Sequence, residues 1–145
     1  MFAFRKPLDK VERWLKNMKL KILSKDEDRS ILTLLFRLSE KTFLVKIIVG
    51  KKWINILALI ALTKNLSSTE EKNLYRACLT ANFMLPEVTF SADMEGNIYI
   101  ESDMPTDTTE DNFKIEFQSV IFGIKYFIDE IAPKIKYKVQ DTIVV

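Results

Sequence analysis

Hydrophobic positions recur along this chain with two periods, and each switch between them marks an element. Leu8, Val11, Leu15 and Met18 fall at helical spacing, with Trp14 beside them. Lys10, Arg13, Lys16 and Lys19 lie off that stripe or along its edges, and Pro7 suits a first helical turn. An amphipathic helix is therefore expected, packed on a sheet. A short strand is expected over 21–24, then a polar turn over 25–28. Residues 30–38 alternate, with Leu32, Leu34, Phe36 and Leu38 on one face. Residues 42–49 alternate again, with Phe43, Val45, Ile47 and Val49 together. These two runs read as an antiparallel hairpin with one buried face. The run WINILALIAL over 53–62 is apolar except for Asn55. Periodicity alone does not separate a buried strand from a short helix here. Its place after two hairpin strands favours a third strand, whose outer apolar side chains need a cover.

The clearest local signals lie in residues 67–105. Ser68 stands three residues before Glu71, the spacing of a capping box, and Glu70 and Glu71 suit the positive end of a helix dipole. Leu74, Tyr75, Cys78, Leu79 and Asn82 then form a helical stripe, which Pro86 stops. Val88, Phe90 and Ala92 alternate with polar neighbours, Met94-Glu95-Gly96-Asn97 supplies a turn, and Ile98 and Ile100 return. Thr108, three residues before Asp111, is a weaker cap for a long helix. Its main stripe is Phe113, Phe117, Val120, Ile121, Ile124, Ile128 and Ile131, widened by Ile115, Phe122 and Tyr126. A helix this apolar packs on two partners, the sheet and a second subunit. Pro133 ends it. The element order α-β-β-β-β-α-β-β-α, with neighbouring strands in runs, predicts an α+β fold with an antiparallel sheet. Residues 1–133 are expected to form a single α+β domain. Residues 134–145 are expected to be a C-terminal tail, either an edge strand or flexible.

Composition narrows the chemistry. The 145 residues are 48% hydrophobic and 29% charged, enough for one core and its surface. Net charge is only +2, which offers no global attraction for nucleic acid. The charge is uneven: residues 1–25 hold eight basic and two acidic residues, and residues 87–116 hold nine acidic residues and one lysine. The absence of histidine removes histidine triads, histidine metal sites and the usual near-neutral proton shuttle. A single cysteine, Cys78, makes an intramolecular disulfide impossible, and its place on the apolar stripe suits a buried structural thiol. No signal-peptide pattern opens the chain, and the longest apolar run is half the length of a membrane span. A cytoplasmic protein with no membrane span is expected.

Asp93, Glu95, Glu101 and Asp103 cluster near the hairpin, but their spacing matches no cation-binding loop and reads as a solvated turn. Gly50, Gly96 and Gly123 form no phosphate cradle. No catalytic residue, metal ligand or cofactor site is expected, and the chain is not expected to be an enzyme. Trp53, Ile54, Ile56, Phe122 and Tyr126 are the candidate protein-binding or dimer surface. Asn82 is the candidate polar structural residue: its amide either ties the helix end to the next strand or lies under a peptide-binding surface. Lys10, Arg13, Lys16 and Lys19, with Trp14, support an alternative role as a nucleic-acid-associated accessory protein.

Leu74, Tyr75, Asn82, Val88, Phe90, Gly96, Ile98, Tyr99, Asp103 and Pro105 form a helix, hairpin and proline-break pattern that resembles YbjN-type proteins, which share the fold of type III secretion chaperones of the Tir-chaperone type. The shape of the match runs from Leu8 to about Ile131, with its specific residues in the central stretch. The resemblance implies a non-enzymatic protein with an adaptor or regulatory role that binds other polypeptides and often forms a homodimer. It brings no catalytic residues.

Overall fold

A computed structural model describes residues 6–143. The order is α1 (Pro7–Asn17), β1 (Ile22–Asp26), β2 (Ile31–Leu38), β3 (Lys41–Val49), β4 (Trp53–Ala61), α2 (Ser68–Met84), β5 (Thr89–Ala92), β6 (Ile98–Pro105) and α3 (Glu110–Tyr126). This is the expected order, and the run after residue 52 is a strand. The strands make one antiparallel sheet in the order β1-β2-β3-β4-β6-β5. α3 ends in a π-helical turn, Phe127–Ile131, where Ala132 N–H reaches back to Phe127 C=O at 2.9 Å.

All three helices pack on one face of the sheet. α1 covers β1–β3, α3 covers β4 and β6, and α2 meets β5. The period-two pattern supplies the floor: Leu32, Leu34, Phe43, Val45, Ile47, Ile54, Ile56, Ala58, Ile60 and Ile100 are buried. The helices supply the roof, with Trp14 against Phe113 at 5.5 Å and Phe36 edge-on to Phe117 at 6.4 Å. Truncating Phe117 to alanine removes a fully buried ring and costs about 4 kcal/mol.

Both predicted helix caps sit one residue from their expected place. The N-cap of α2 is Ser67, whose Oγ accepts from Glu70 N–H at 3.2 Å while Glu70 Oε1 accepts from Ser67 N–H at 3.0 Å. The doublets Ser67-Ser68 and Glu70-Glu71 offer the same spacing twice, and burial of Leu74, Cys78 and Ala81 selects the register. For α3 the cap is Thr109, accepting from Asn112 N–H at 3.1 Å, while Thr108 takes the Asn112 side chain at 2.7 Å. Leu79 also departs from expectation: it is exposed, and Ala81 takes its place on the buried stripe of α2.

Candidate protein-binding surface

The surface builds up from how α2 is fixed. Its N-terminus is capped by Ser67 and Glu70. One turn on, the Tyr75 hydroxyl donates to Gly96 C=O at 2.8 Å, tying α2 to the β5–β6 turn. Gly96 has φ +87°, and a Cβ there would lie 2.4 Å from the Tyr75 oxygen, so both backbone and contact demand glycine. Asp93 completes the turn: Oδ1 accepts from the Glu95 and Asn97 N–H groups at 2.9 and 3.0 Å, and Oδ2 accepts from the Tyr99 hydroxyl at 3.1 Å. Near its C-terminal end, α2 delivers Asn82 to the sheet margin. The Asn82 amide donates to Phe90 C=O at 2.9 Å and its carbonyl accepts from Phe90 N–H at 2.7 Å. The side chain thus supplies what a neighbouring strand would supply at the middle of β5.

With its inner face and Asn82 so held, α2 presents the remaining face to solvent. Leu79 is 67% exposed, Phe83 92% and Met84 65%. A shallow, almost wholly apolar groove of about 270 Å³ runs between this ridge and β5, lined by Tyr75, Cys78, Leu79, Phe90, Ala92 and Ile98 among others. A second groove of about 450 Å³ runs between α2 and the end of α3. Ala77, Ala81, Met84, Tyr126, Ile131 and Ile135 contribute its apolar lining, and Arg76, Glu130 and Lys134 its charge. Burial pushes the Cys78 thiol up to about 12, so it stays protonated at neutral pH and behaves as a wall of the first groove.

The residues singled out from the sequence do not form one patch. Ile54 and Ile56 are fully buried beneath the helices and belong to the core, because alternation in β4 turns them to the covered face. Trp53 points to the opposite, open face, across from Pro105. Phe122 is exposed on α3 with its ring tilted against Tyr126 at 6.4 Å, and of the two Tyr126 lines the second groove. The sheet separates them from Trp53. Leu79, Phe83 and Met84 escaped sequence reasoning because α2 carries apolar residues on several faces; Phe83-Met84 directly before Leu85-Pro86 is the signal that was available.

The basic stripe of α1 is divided: Arg13, Lys16 and Lys19 are exposed, while Lys10 and Trp14 are engaged within the fold. Trp14 is buried, so its ring cannot stack on a base, and Lys10 Nζ donates to Thr106 C=O at 2.9 Å. Among the described residues, no helix is long and apolar enough to cross a membrane.

No protein-family model matches this sequence, and no curated protein matches it closely. Solved structures do. The ExsC–ExsE complex aligns at TM-score 0.60 and 15% identity, over 86% of this chain and 95% of the other. The Yersinia pestis type III secretion chaperone SycH, solved with a stable fragment of YscM2, aligns at 0.54 and 13%, over 83% and 98%. YbjN from E. coli aligns at 0.57 and 14%, over 86% and 93%. The fold is that of type III secretion chaperones and YbjN. At these identities the likeness carries the architecture alone. Within that shared fold, Tyr75, Gly96 and Asn82 lock α2 to the β5–β6 hairpin and leave the α2 ridge outside.

Proposed function

We propose that this chain is a non-enzymatic, cytoplasmic polypeptide-binding adaptor that acts as a homodimer through the α2 ridge. The carrying observation is the exposure of Leu79, Phe83 and Met84 together, flanked by two grooves with apolar walls. Large apolar side chains clustered on a surface mark an interaction site. Burying Phe83 alone contributes about 2 kcal/mol. The Phe122–Tyr126 pair extends the same surface across the second groove. The reading of polypeptide binding is supported by the company the fold keeps: the SycH structure holds a fragment of YscM2, and ExsC was solved with ExsE.

Light scattering at high micromolar concentration tests the proposal. The wild-type chain is expected to give twice the monomer mass, and Phe83→Glu a monomer with an unchanged far-UV spectrum. A monomeric wild-type chain, or a dimer that Phe83→Glu and Leu79→Lys leave intact, removes the α2 ridge from the role.

A further inference from the structure

The chain beyond α3 returns to the sheet. Lys136 turns it with φ 57°. Tyr137 packs edge-on against Phe127 at 5.8 Å, and its hydroxyl donates to Leu62 C=O at 3.2 Å. Residues 138–143 then run on as neither helix nor strand, yet Thr142 is fully buried. Its N–H donates to Thr42 C=O at 2.9 Å. Its hydroxyl donates to Leu59 C=O at 2.7 Å and accepts from Leu44 N–H at 3.0 Å. The preceding side chain, Asp141, accepts from Thr42 N–H at 2.8 Å.

Leu44 and Leu59 lie directly opposite each other where the β3–β4 pairing ends. Hydrogen-bonded and non-hydrogen-bonded pairs alternate along an antiparallel ladder. Counting from the Gly50 N–H to Trp53 C=O bond at the turn, Leu44 and Leu59 occupy a hydrogen-bonded position. The Thr142 hydroxyl bridges the two partners of that rung. When Thr142 leaves, Leu44 N–H and Leu59 C=O can turn to each other, so departure strands neither group in the core.

We propose that the open end of the β3–β4 pair is a docking slot for an extended segment of a partner polypeptide in which an acidic residue precedes threonine, and that residues 138–143 fill it in cis as a releasable strap. The occupant displays the recognition chemistry. A carboxylate takes the Thr42 N–H, a backbone N–H meets the Thr42 C=O, and a hydroxyl both gives and receives a hydrogen bond at the Leu44–Leu59 rung. A valine fills the same volume and makes neither hydroxyl bond. A tethered strap competes at millimolar effective concentration, so an outside segment enters when the strap is weakened. The slot lies at the end of β3 and β4, and α2, which carries the proposed dimer surface, meets the sheet at β5.

The test uses the full chain and a fluorescent peptide of residues 137–143, YKVQDTI, followed by anisotropy. Asp141→Ala/Thr142→Val in the chain is expected to bind the peptide at least tenfold more tightly than the wild-type chain does. The peptide YKVQAVI is expected to bind that variant at least tenfold more weakly than YKVQDTI. Amide exchange at Thr42 is expected to speed up in the variant and slow again with YKVQDTI. Equal binding to both chains, or no binding by a variant that keeps the wild-type circular dichroism, overturns the proposal. If the wild-type chain instead associates further through its own strap and the peptide binds neither chain, the slot belongs to strap exchange between copies and the partner assignment falls. If the double variant does not fold, Asp141→Ala alone decides: unchanged Thr42 exchange with no gain in peptide binding overturns it.

Discussion

At the β1 margin of the sheet, Lys25 reaches Asp9 at 2.7 Å, Glu12 at 3.1 Å and Glu27 at 3.4 Å, and the ladder to β2 is irregular between Ile22 and Ser24. At the β5 margin the strand reads Thr-Phe-Ser-Ala and carries no charge. There the side chain of Asn82 takes both backbone groups of Phe90. Both devices serve the same need, since an open strand edge is a template for pairing with another chain. They differ in what they depend on. The charged cluster works over several ångströms in solvent, tolerates small movements and is screened by salt. The amide works only if α2 is held in register, and it is indifferent to salt. The guard at β5 is therefore only as good as the contacts that hold α2, and those contacts also set the exposed ridge of Leu79, Phe83 and Met84.

Removing the amide is the sharpest way to break this comparison. Asn82→Ala leaves Phe90 N–H and C=O without their partner and is expected to cost about 3 kcal/mol in urea denaturation. It also opens β5 to pairing, so light scattering is expected to show association beyond that of the wild-type chain. Asn82→Asp keeps an acceptor for Phe90 N–H and loses the donor, and should fall between the two. If Asn82→Ala leaves both stability and association unchanged, the amide guards nothing. Next in size is Gly96→Ala. The left-handed φ alone costs about 1–2 kcal/mol, and the clash with the Tyr75 hydroxyl adds to it. Tyr75→Phe removes the clashing oxygen, so the double variant should lose less than the sum of the singles. Strict additivity would show that Tyr75 and Gly96 do not act together in fixing α2.

The antiparallel sheet, the order of elements along the chain and the covered face were legible from the sequence because alternation in 30–38, 42–49 and 98–100 matches a half-buried surface; that β6 and not β5 pairs with β4 was not. The caps were legible only to within a residue. Ser67-Ser68 and Glu70-Glu71 each offer two solutions of equal local merit, and tertiary burial of Leu74, Cys78 and Ala81 chooses between them. The ridge was not legible, because Leu79 and Phe83 satisfy the helical periodicity of α2 as well as its buried residues do. Only the position of β5 decides which side faces out. The Thr142 contacts were out of reach for another reason. They join Thr142 to Leu44 and Leu59, 98 and 83 positions away, through a hydroxyl, and the strand-like pattern of the tail does not point to a side-chain contact of that kind.

The smallest expected effect belongs to the charged margin. Lys25→Met removes all three ion pairs and keeps most of the aliphatic stem, so it should destabilise less than either change at the β5 margin. Asp9 and then Glu12 hold the Lys25 ammonium above its ordinary range, so the folded state favours the charged form. That contribution is whole below pH 10.5, the ordinary value, and is lost as pH rises through the raised folded one. The loss on Lys25→Met should therefore be measurable at low salt and neutral pH, shrink in 1 M sodium chloride, and vanish at strongly alkaline pH. The Asn82→Ala loss should stay the same across the same salt series, since neither of its hydrogen bonds involves an ionised group. If both variants responded to salt alike, the two margins would be guarded by one kind of force, and the amide at β5 would have to be understood as part of a wider charge network.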